Sequence, residues 1–196
     1  MNTMIQTGPF TAGSLRRKSG FSLIELLVVI AIIAILAGLL FPALNAVMQR
    51  SESAQARTEV KAIEMAVRSF YTDYGRFPIG SGQPDQAFGI GNNANGELIR
   101  ILRAISGPGN VNHVNNPRRR NYLDINENSL LNDNLVDPWG NQYVIVMDTN
   151  FDNQLTMPPA TALGTLQGRT VGVFSLGPQM QMGAQHTNNY IVSWKN

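Results

Sequence analysis

RRKSGFSLIELLVVIAIIAILAGLLFPAL, residues 16–44, is the stretch whose reading decides the fold of this chain. Three cations (Arg16, Arg17, Lys18) and the pair Ser19-Gly20 precede a run that is apolar except for Ser22, Glu25, Gly38 and Pro42. After Glu25 no charge appears until Arg50. As a helix rising about 1.5 Å per residue, positions 21–44 reach roughly 36 Å, more than the roughly 30 Å hydrocarbon core of a bilayer. The one acid near the start is the anomaly. A carboxylate in a membrane segment costs roughly 2.5–3.5 kcal/mol and calls for a partner.

Three readings compete for this stretch. A secretory signal peptide would be cut after its apolar core at an A-x-A-like site, but the alanines stand as Ala31-x-x-Ala34 and Ala34-x-x-Ala37. A plain signal anchor would retain residues 1–20 and leave Glu25 without a role. The third reading places a cut before the apolar run, between Gly20 and Phe21. KSG-FSLIE resembles the class III leader of type IV pilins and type II secretion pseudopilins. The resemblance implies a membrane peptidase that cleaves after Gly20 and methylates the new amine of Phe21. Glu25 then falls fifth in the mature chain and Pro42 twenty-second, both matching that family's motif.

The chain has 196 residues, of which 43% are hydrophobic, enough for one domain beyond an anchor. Its formal charge of +2 is a property of the leader. Without residues 1–20, twelve Lys and Arg face thirteen Asp and Glu, a side-chain charge of −1. Such a balance argues against a general nucleic-acid binder. There are no cysteines, hence no disulfides and no thiolate metal site. The leader cations sit on the side that stays cytoplasmic, which directs the carboxyl-terminal part to the periplasm or exterior.

Residues 1–15 lack periodicity and read as a leader without a fold. Beyond Pro42 the helical pattern becomes amphipathic. Val60, Ile63, Val67, Phe70 and Tyr74 form one apolar stripe, with Glu64 and Arg68 as an i,i+4 pair beside it. One helix is therefore predicted from Phe21 to Tyr74, with a kink or soft spot at Gly38–Pro42, where proline has no amide hydrogen to donate. Gly75 suits a left-handed terminus and Pro78 prevents continuation. The segment YTDYGRFP resembles the end of the long pseudopilin helix.

Residues 79–97 read as an irregular loop rich in Gly, Asn and Gln, and Gly96–Ile105 as a short helix. Gly89-x-Gly91 has no predicted strand before it and no Lys-Ser/Thr after it, so it does not read as a phosphate loop. Arg118-Arg119-Arg120 is the one basic cluster of the mature chain; without interleaved aromatics it reads as a solvated loop rather than a DNA contact. Asp137-Pro138-Trp139-Gly140 makes a tight turn before the strand candidate Tyr143–Met147. Thr170–Ser175 and Tyr190–Trp194 are two more strand candidates. DPWG followed by a strand resembles the head of the major pseudopilin of type II secretion. The fold class expected is α+β, a long N-terminal helix whose far half packs on a small antiparallel sheet. The domain division expected is a cleaved leader (1–20), a membrane half-helix (21–44), an amphipathic half-helix (45–74) and a head (75–196).

Catalytic motifs are missing from this sequence. His113 and His186 lie among Asn and Gln, and no nucleophile elbow or zinc motif occurs. The strongest ligand pattern is Asp148, Asn150, Asp152 and Gln154, followed by Thr156, with oxygens in the order of a calcium loop. It departs from an EF-hand at Asn153 and Pro159, where glycine and glutamate belong, and Asp/Asn clusters also make plain hairpin turns. The resemblance implies a different calcium loop, after a strand ending Ser175-Leu176-Gly177. There this chain carries Gln179, Met180, Gln181, Asn188 and Asn189, carboxamides in place of acids.

The resemblance implies a structural subunit of a type II secretion-like pseudopilus, not an enzyme. Its partners would be further copies in a homo-oligomeric filament, the prepilin peptidase, an inner-membrane assembly platform with its ATPase, and minor pseudopilins. The location implied is the bacterial inner membrane, crossed once, with the head in the periplasm. A type IV pilin for adhesion, motility or DNA uptake is the alternative, and the lack of a cysteine-closed loop weighs against it. A membrane-anchored periplasmic enzyme or binding protein is the third reading.

Overall fold

The computed structural model describes residues 20–79 and 84–195. Residues 1–19, all but the last residue of the predicted leader 1–20 and including its three cations, lie outside the described residues. The chain forms two compact units, Met1–Asn45 and Ala46–Asn196. Helix α1, Leu23–Tyr74, contributes its first turns to one and the remainder to the other.

In the first unit, α1 is apolar on every face. Its large side chains from Phe21 to Phe41, with Leu44, range from 44% exposed at Val29 to 84% at Leu23. An 18-residue window reaches a mean hydropathy of 3.1, so the helix is long and apolar enough to cross a membrane. Contiguous apolar surface of this extent is not stable in water; it needs lipid or other helices around it. Gly38 and Pro42 both fall inside α1, and the side chain of Pro42 lies outside the described residues.

The second unit is the expected α+β head. Ala56, Val60, Ile63, Val67 and Phe70 of α1 are each no more than 1% exposed. Burying such side chains contributes roughly 1.5–3 kcal/mol each for the larger ones. The helix ends where the sequence predicts. Gly75 has φ +67°, and its N–H donates to the Tyr71 carbonyl at 2.8 Å.

Eight short strands follow among the described residues: β1 (Gln86–Phe88), β2 (Leu130–Leu131), β3 (Asn134–Leu135), β4 (Val144–Met147), β5 (Gln154–Thr156), β6 (Thr165–Gln167), β7 (Val171–Ser175) and β8 (Ile191–Val192). The main sheet is antiparallel, in the order β1-β4-β7-β8. β4 and β7 begin within one residue of the predicted strands, whereas β8 keeps only two of its predicted five residues. The predicted loop 79–97 holds an unanticipated edge strand, β1, paired with β4. Helix α2, Gly96–Leu102, stops short of the predicted Ile105.

Alternation on the sheet separates two cores. Ile145, Met147, Val171, Val173 and Ile191 face the α1 stripe. Val144, Val146, Phe174, Tyr190 and Val192 face the other way, where Leu155 and Met157 of the β5–β6 region cover them. The second layer was not anticipated, because three-residue strands carry too little periodicity to read.

Candidate processing and assembly site

The entry to α1 is organised by two side chains of FSLIE. The Glu25 carboxylate accepts the Ser22 N–H at 2.8 Å, and the Ser22 hydroxyl accepts the Glu25 N–H at 3.3 Å. This reciprocal pair is a capping box, Ser-x-x-Glu, which satisfies backbone donors that a helix start leaves without partners. It explains why the helix begins at Leu23 rather than at the predicted Phe21. The signal for this cap is local, a serine three residues before a glutamate at the start of an apolar run. Gly20 and Phe21, the residues flanking the predicted cut, precede the helix, and Phe21 is 77% exposed. Exposed backbone outside a helix, just before its cap, is what a peptidase can enter.

In the head, the DPWG turn ties helix to sheet. Asp137 is buried, and its Oδ1 accepts the N–H groups of Trp139 (3.0 Å) and Asn141 (2.8 Å). Its Oδ2 accepts the Ser175 hydroxyl at 2.6 Å, at the end of β7. The Trp139 indole donates to the Glu52 carboxylate of α1 at 3.0 Å. Tyr143 donates to Glu59 on the same helix, and burial first, then that carboxylate, pushes its phenol far above the ordinary range. Asn95, fully buried, donates to the carbonyls of Leu135 and Tyr143 and accepts the Leu135 N–H. The sequence marks Asp137 as part of a turn, but it does not mark the partners that Asp137, Glu52, Glu59 and Asn95 find across the head.

The basic cluster is not a bare solvated loop. Arg118 lies over the Tyr74 ring at 5.2 Å, and Arg120 pairs with Asp73 at 2.8 Å and lies over Tyr122 at 5.7 Å. The aromatics missing from the local sequence arrive from the end of α1 and from the next segment. The hydrogen bond from Tyr122, joined by Arg120, holds Asp73 below the usual carboxylate range. These arginines fasten the helix terminus.

The residues of the predicted calcium pattern come together as a turn. Asp148 is buried, and its two oxygens accept the N–H groups of Asp152 (3.3 Å) and Asn153 (3.1 Å). Asp152 accepts the Gln154 N–H at 2.8 Å and the Asn150 amide at 2.9 Å. Gln154 accepts from Gln167 across the β5–β6 pair. Phe151 and Asn153 are both left-handed, as tight turns of this kind require. The loop after Ser175-Leu176-Gly177 has no Asp or Glu from Leu176 to Tyr190. There the Gln179 carbonyl oxygen accepts the Asn189 amide at 2.8 Å and meets His186 Nδ1 at 3.2 Å. Calcium prefers charged oxygens, and these residues do not fit the calcium centre that the resemblance implies. Among the described residues, no group of three or more His, Cys, Asp or Glu is placed to hold a metal ion. His113 and His186 lie far apart in sequence and share no such cluster.

Comparison with known proteins agrees with this geometry. Residues 15–41 match the family described as the prokaryotic N-terminal methylation motif. The chain is 27% identical to the type II secretion system core protein G of Vibrio cholerae over 180 residues, 92% of this chain and 94% of that one. Core protein G of Escherichia coli is 28% identical over 66% of this chain and 72% of its own. The type IV major pilin PilA of Myxococcus xanthus is 41% identical, but over 31% of this chain and 28% of its own. No solved structure matches. The head as well as the leader thus resembles core protein G, while the stronger identity to the pilin is confined to a short segment.

Proposed function

We propose that this chain is a structural subunit of a pseudopilus of the type II secretion kind. The observation that carries the reading is α1 in its first unit: an apolar helix, exposed on all sides in a single chain and entered by a carboxylate-containing cap. Lipid satisfies that surface before assembly, and neighbouring copies of the same helix satisfy it in a filament. Cleavage between Gly20 and Phe21 by a prepilin peptidase frees an amine four residues from Glu25. In a filament of staggered helices the Glu25 carboxylate of one copy meets the Phe21 amine of the next, which sets register, while packing of Leu, Ile and Val supplies most of the association. Gly38 and Pro42 give the helix a place to soften during extraction from the bilayer.

The subunit stays in the bacterial inner membrane with its head in the periplasm until an assembly platform and its ATPase add it beneath minor pseudopilins at the tip. Extension of the filament then moves secreted proteins outward. Its role is assembly rather than catalysis. The near-complete overlap with core protein G favours secretion over the type IV pilin reading, whose relatives overlap only partly. Mass spectrometry of the protein from membranes tests the proposal. An N-methylated Phe21 terminus is expected; recovery of intact residues 1–20, or of a terminus beyond Ala37, overturns it.

A further inference from the structure

The half of α1 in the head carries its charges on two separate flanks. Arg50, Arg57, Lys61 and Arg68, spaced seven, four and seven residues apart, share one flank. Glu52 and Glu59, seven apart, lie roughly half a turn away. The buried stripe Val60–Ile63–Val67 runs between them. Each flank borders a cavity.

On the basic side, a cavity of about 220 Å³ is lined by Arg57, Lys61 and Lys195 with Thr187, Asn188 and Tyr190. Its lining contains no carboxylate, and among the described residues none of these three cations takes part in an ion pair. The one acid farther along this flank, Glu64, is engaged by Arg68 at 2.8 Å and approached by Arg169 at 3.7 Å. On the acidic side, a cavity of about 110 Å³ is bordered by Glu59, Asp124 and Asn126. Glu59 is held by the neutral groups of Tyr143 and Gln55, so its charge is not cancelled. Asp124 is exposed and has no ion-pair partner among the described residues.

We propose that the basic cavity of one copy faces the exposed Asp124 carboxylate of a second copy, beside Glu59. This rests on the filament-subunit reading above. The occupant follows from charge complementarity within one chain: three uncancelled cations on one side and two uncancelled acids on the other. A two-fold dimer through either surface would place like charges together and is disfavoured. A contact between unlike surfaces is heterologous, and repeated it builds an open chain rather than a closed pair. The contact would also fix which side of a head faces its neighbour, a choice that apolar helix packing alone leaves loose.

The chain has no cysteine, which makes the test direct. Full-length Lys61→Cys/Asp124→Cys and each single variant are expressed with a prepilin peptidase, the assembly platform and its ATPase, and treated in membranes with a short bismaleimide. The double variant is expected to give a ladder of trimers and higher species, because each copy then carries both halves of the contact. Single variants can give dimers at most. Charge reversal provides the second arm. Lys61→Glu or Asp124→Lys alone should lower filament yield about tenfold, and the two together should restore it to within about twofold. Unsubstituted protein that forms filaments, with no ladder from the double variant and no mutual rescue, overturns this contact and leaves the filament reading standing. Unsubstituted protein that forms no filaments overturns both.

Discussion

The Ser175 hydroxyl donates to Asp137 Oδ2 at 2.6 Å and accepts the Gly177 N–H at 2.9 Å, so one side chain joins the DPWG turn to the end of β7. Asp137 is 3% exposed and accepts from three further donors, the Trp139 N–H, the Asn141 N–H and the Asn141 side-chain amide. Asp137→Ala leaves the Ser175 hydroxyl and two backbone N–H groups without an acceptor in a dry site. The cost is about 2–3 kcal/mol, which lowers the head's Tm by roughly 4–10 °C. Asp137→Asn keeps an oxygen and costs less. Thermal unfolding of the full chain in mild detergent checks both; equal stability of Asp137→Ala and unsubstituted protein would contradict the role given to this carboxylate.

Ser22 and Glu25 separate capping from assembly. Glutamine at position 25 still accepts the Ser22 N–H, because a capping box works with Gln as with Glu. It carries no charge for a neighbouring amine. Glu25→Gln is therefore expected to insert and be cleaved normally while filament yield falls. Ser22→Ala removes a cap worth about 1 kcal/mol to the helix start and leaves the carboxylate in place. Its filaments should form at close to normal yield. Sheared-filament yield and the cleaved fraction, measured together, decide. Normal filaments from Glu25→Gln would remove the charge from the mechanism.

The pH response of the head turns on Asp85. Burial first, then the charges of Asp148 and Asp152, raise its carboxyl above the usual aspartate range. A folded state with the higher pKa holds its proton longer than the unfolded chain. This contribution is fully present below the unfolded pKa, near 3.9, and is lost as pH rises through the folded value. Asp73 behaves oppositely: held low by Tyr122 and Arg120, it contributes stability above the unfolded pKa and loses it as pH falls. Asp85→Asn keeps an acceptor for the Thr156 N–H, now bonded at 2.7 Å, and removes the crowded charge. It should raise Tm at pH 7 by about 1–2 °C, corresponding to roughly 0.5 kcal/mol. A lower Tm for Asp85→Asn at pH 7 would count against this account.

Legibility in the sequence tracked the range of the interactions. The long helix could be read residue by residue: its apolar run, its 3-4-3-4 stripe and its Gly75 terminus are all local signals, and the structure places each as expected. β4 and β7 were legible because branched residues crowd into four or five positions. β1 and the β5–β6 pair were not, since three residues do not establish a period, and β1 also depends on a partner strand, β4, far along the chain. The same holds for the polar centre of the head. Asn95 sits in a stretch that reads as loop, yet it is 0% exposed and bridges carbonyls 40 and 48 residues distant. Arg118 acquired its aromatic partner in the same way, through the return of the chain to Tyr74. Ser22 is the exception: its capping role was local and readable.

Metal dependence is the sharpest test of the head's loops. Asp148 and Asp152 follow the order of a calcium loop, but their oxygens accept N–H groups of Asp152, Asn153 and Gln154. A calcium ion would need several of those oxygens turned outward, and each amide released would lose its acceptor. The loop after Gly177 is closed without charge. Gly177 has φ +72°, and a Cβ there would stand 2.3 Å from the Asn189 carbonyl oxygen, so the chain is held close at the point where Gln179 accepts from Asn189. The Tm of the full chain in detergent is therefore expected to be the same with excess calcium and with chelator. Gln179→Ala should lower it by about 2–4 °C, the loss of roughly 1 kcal/mol of hydrogen bonding, in both conditions. Asp148→Ala should lower it further, because a buried turn then loses two acceptors at once. A chelator-induced fall in Tm that Asp148→Ala with Asp152→Ala abolishes would instead place calcium in the first loop. The same fall abolished by Gln179→Ala would place it in the second.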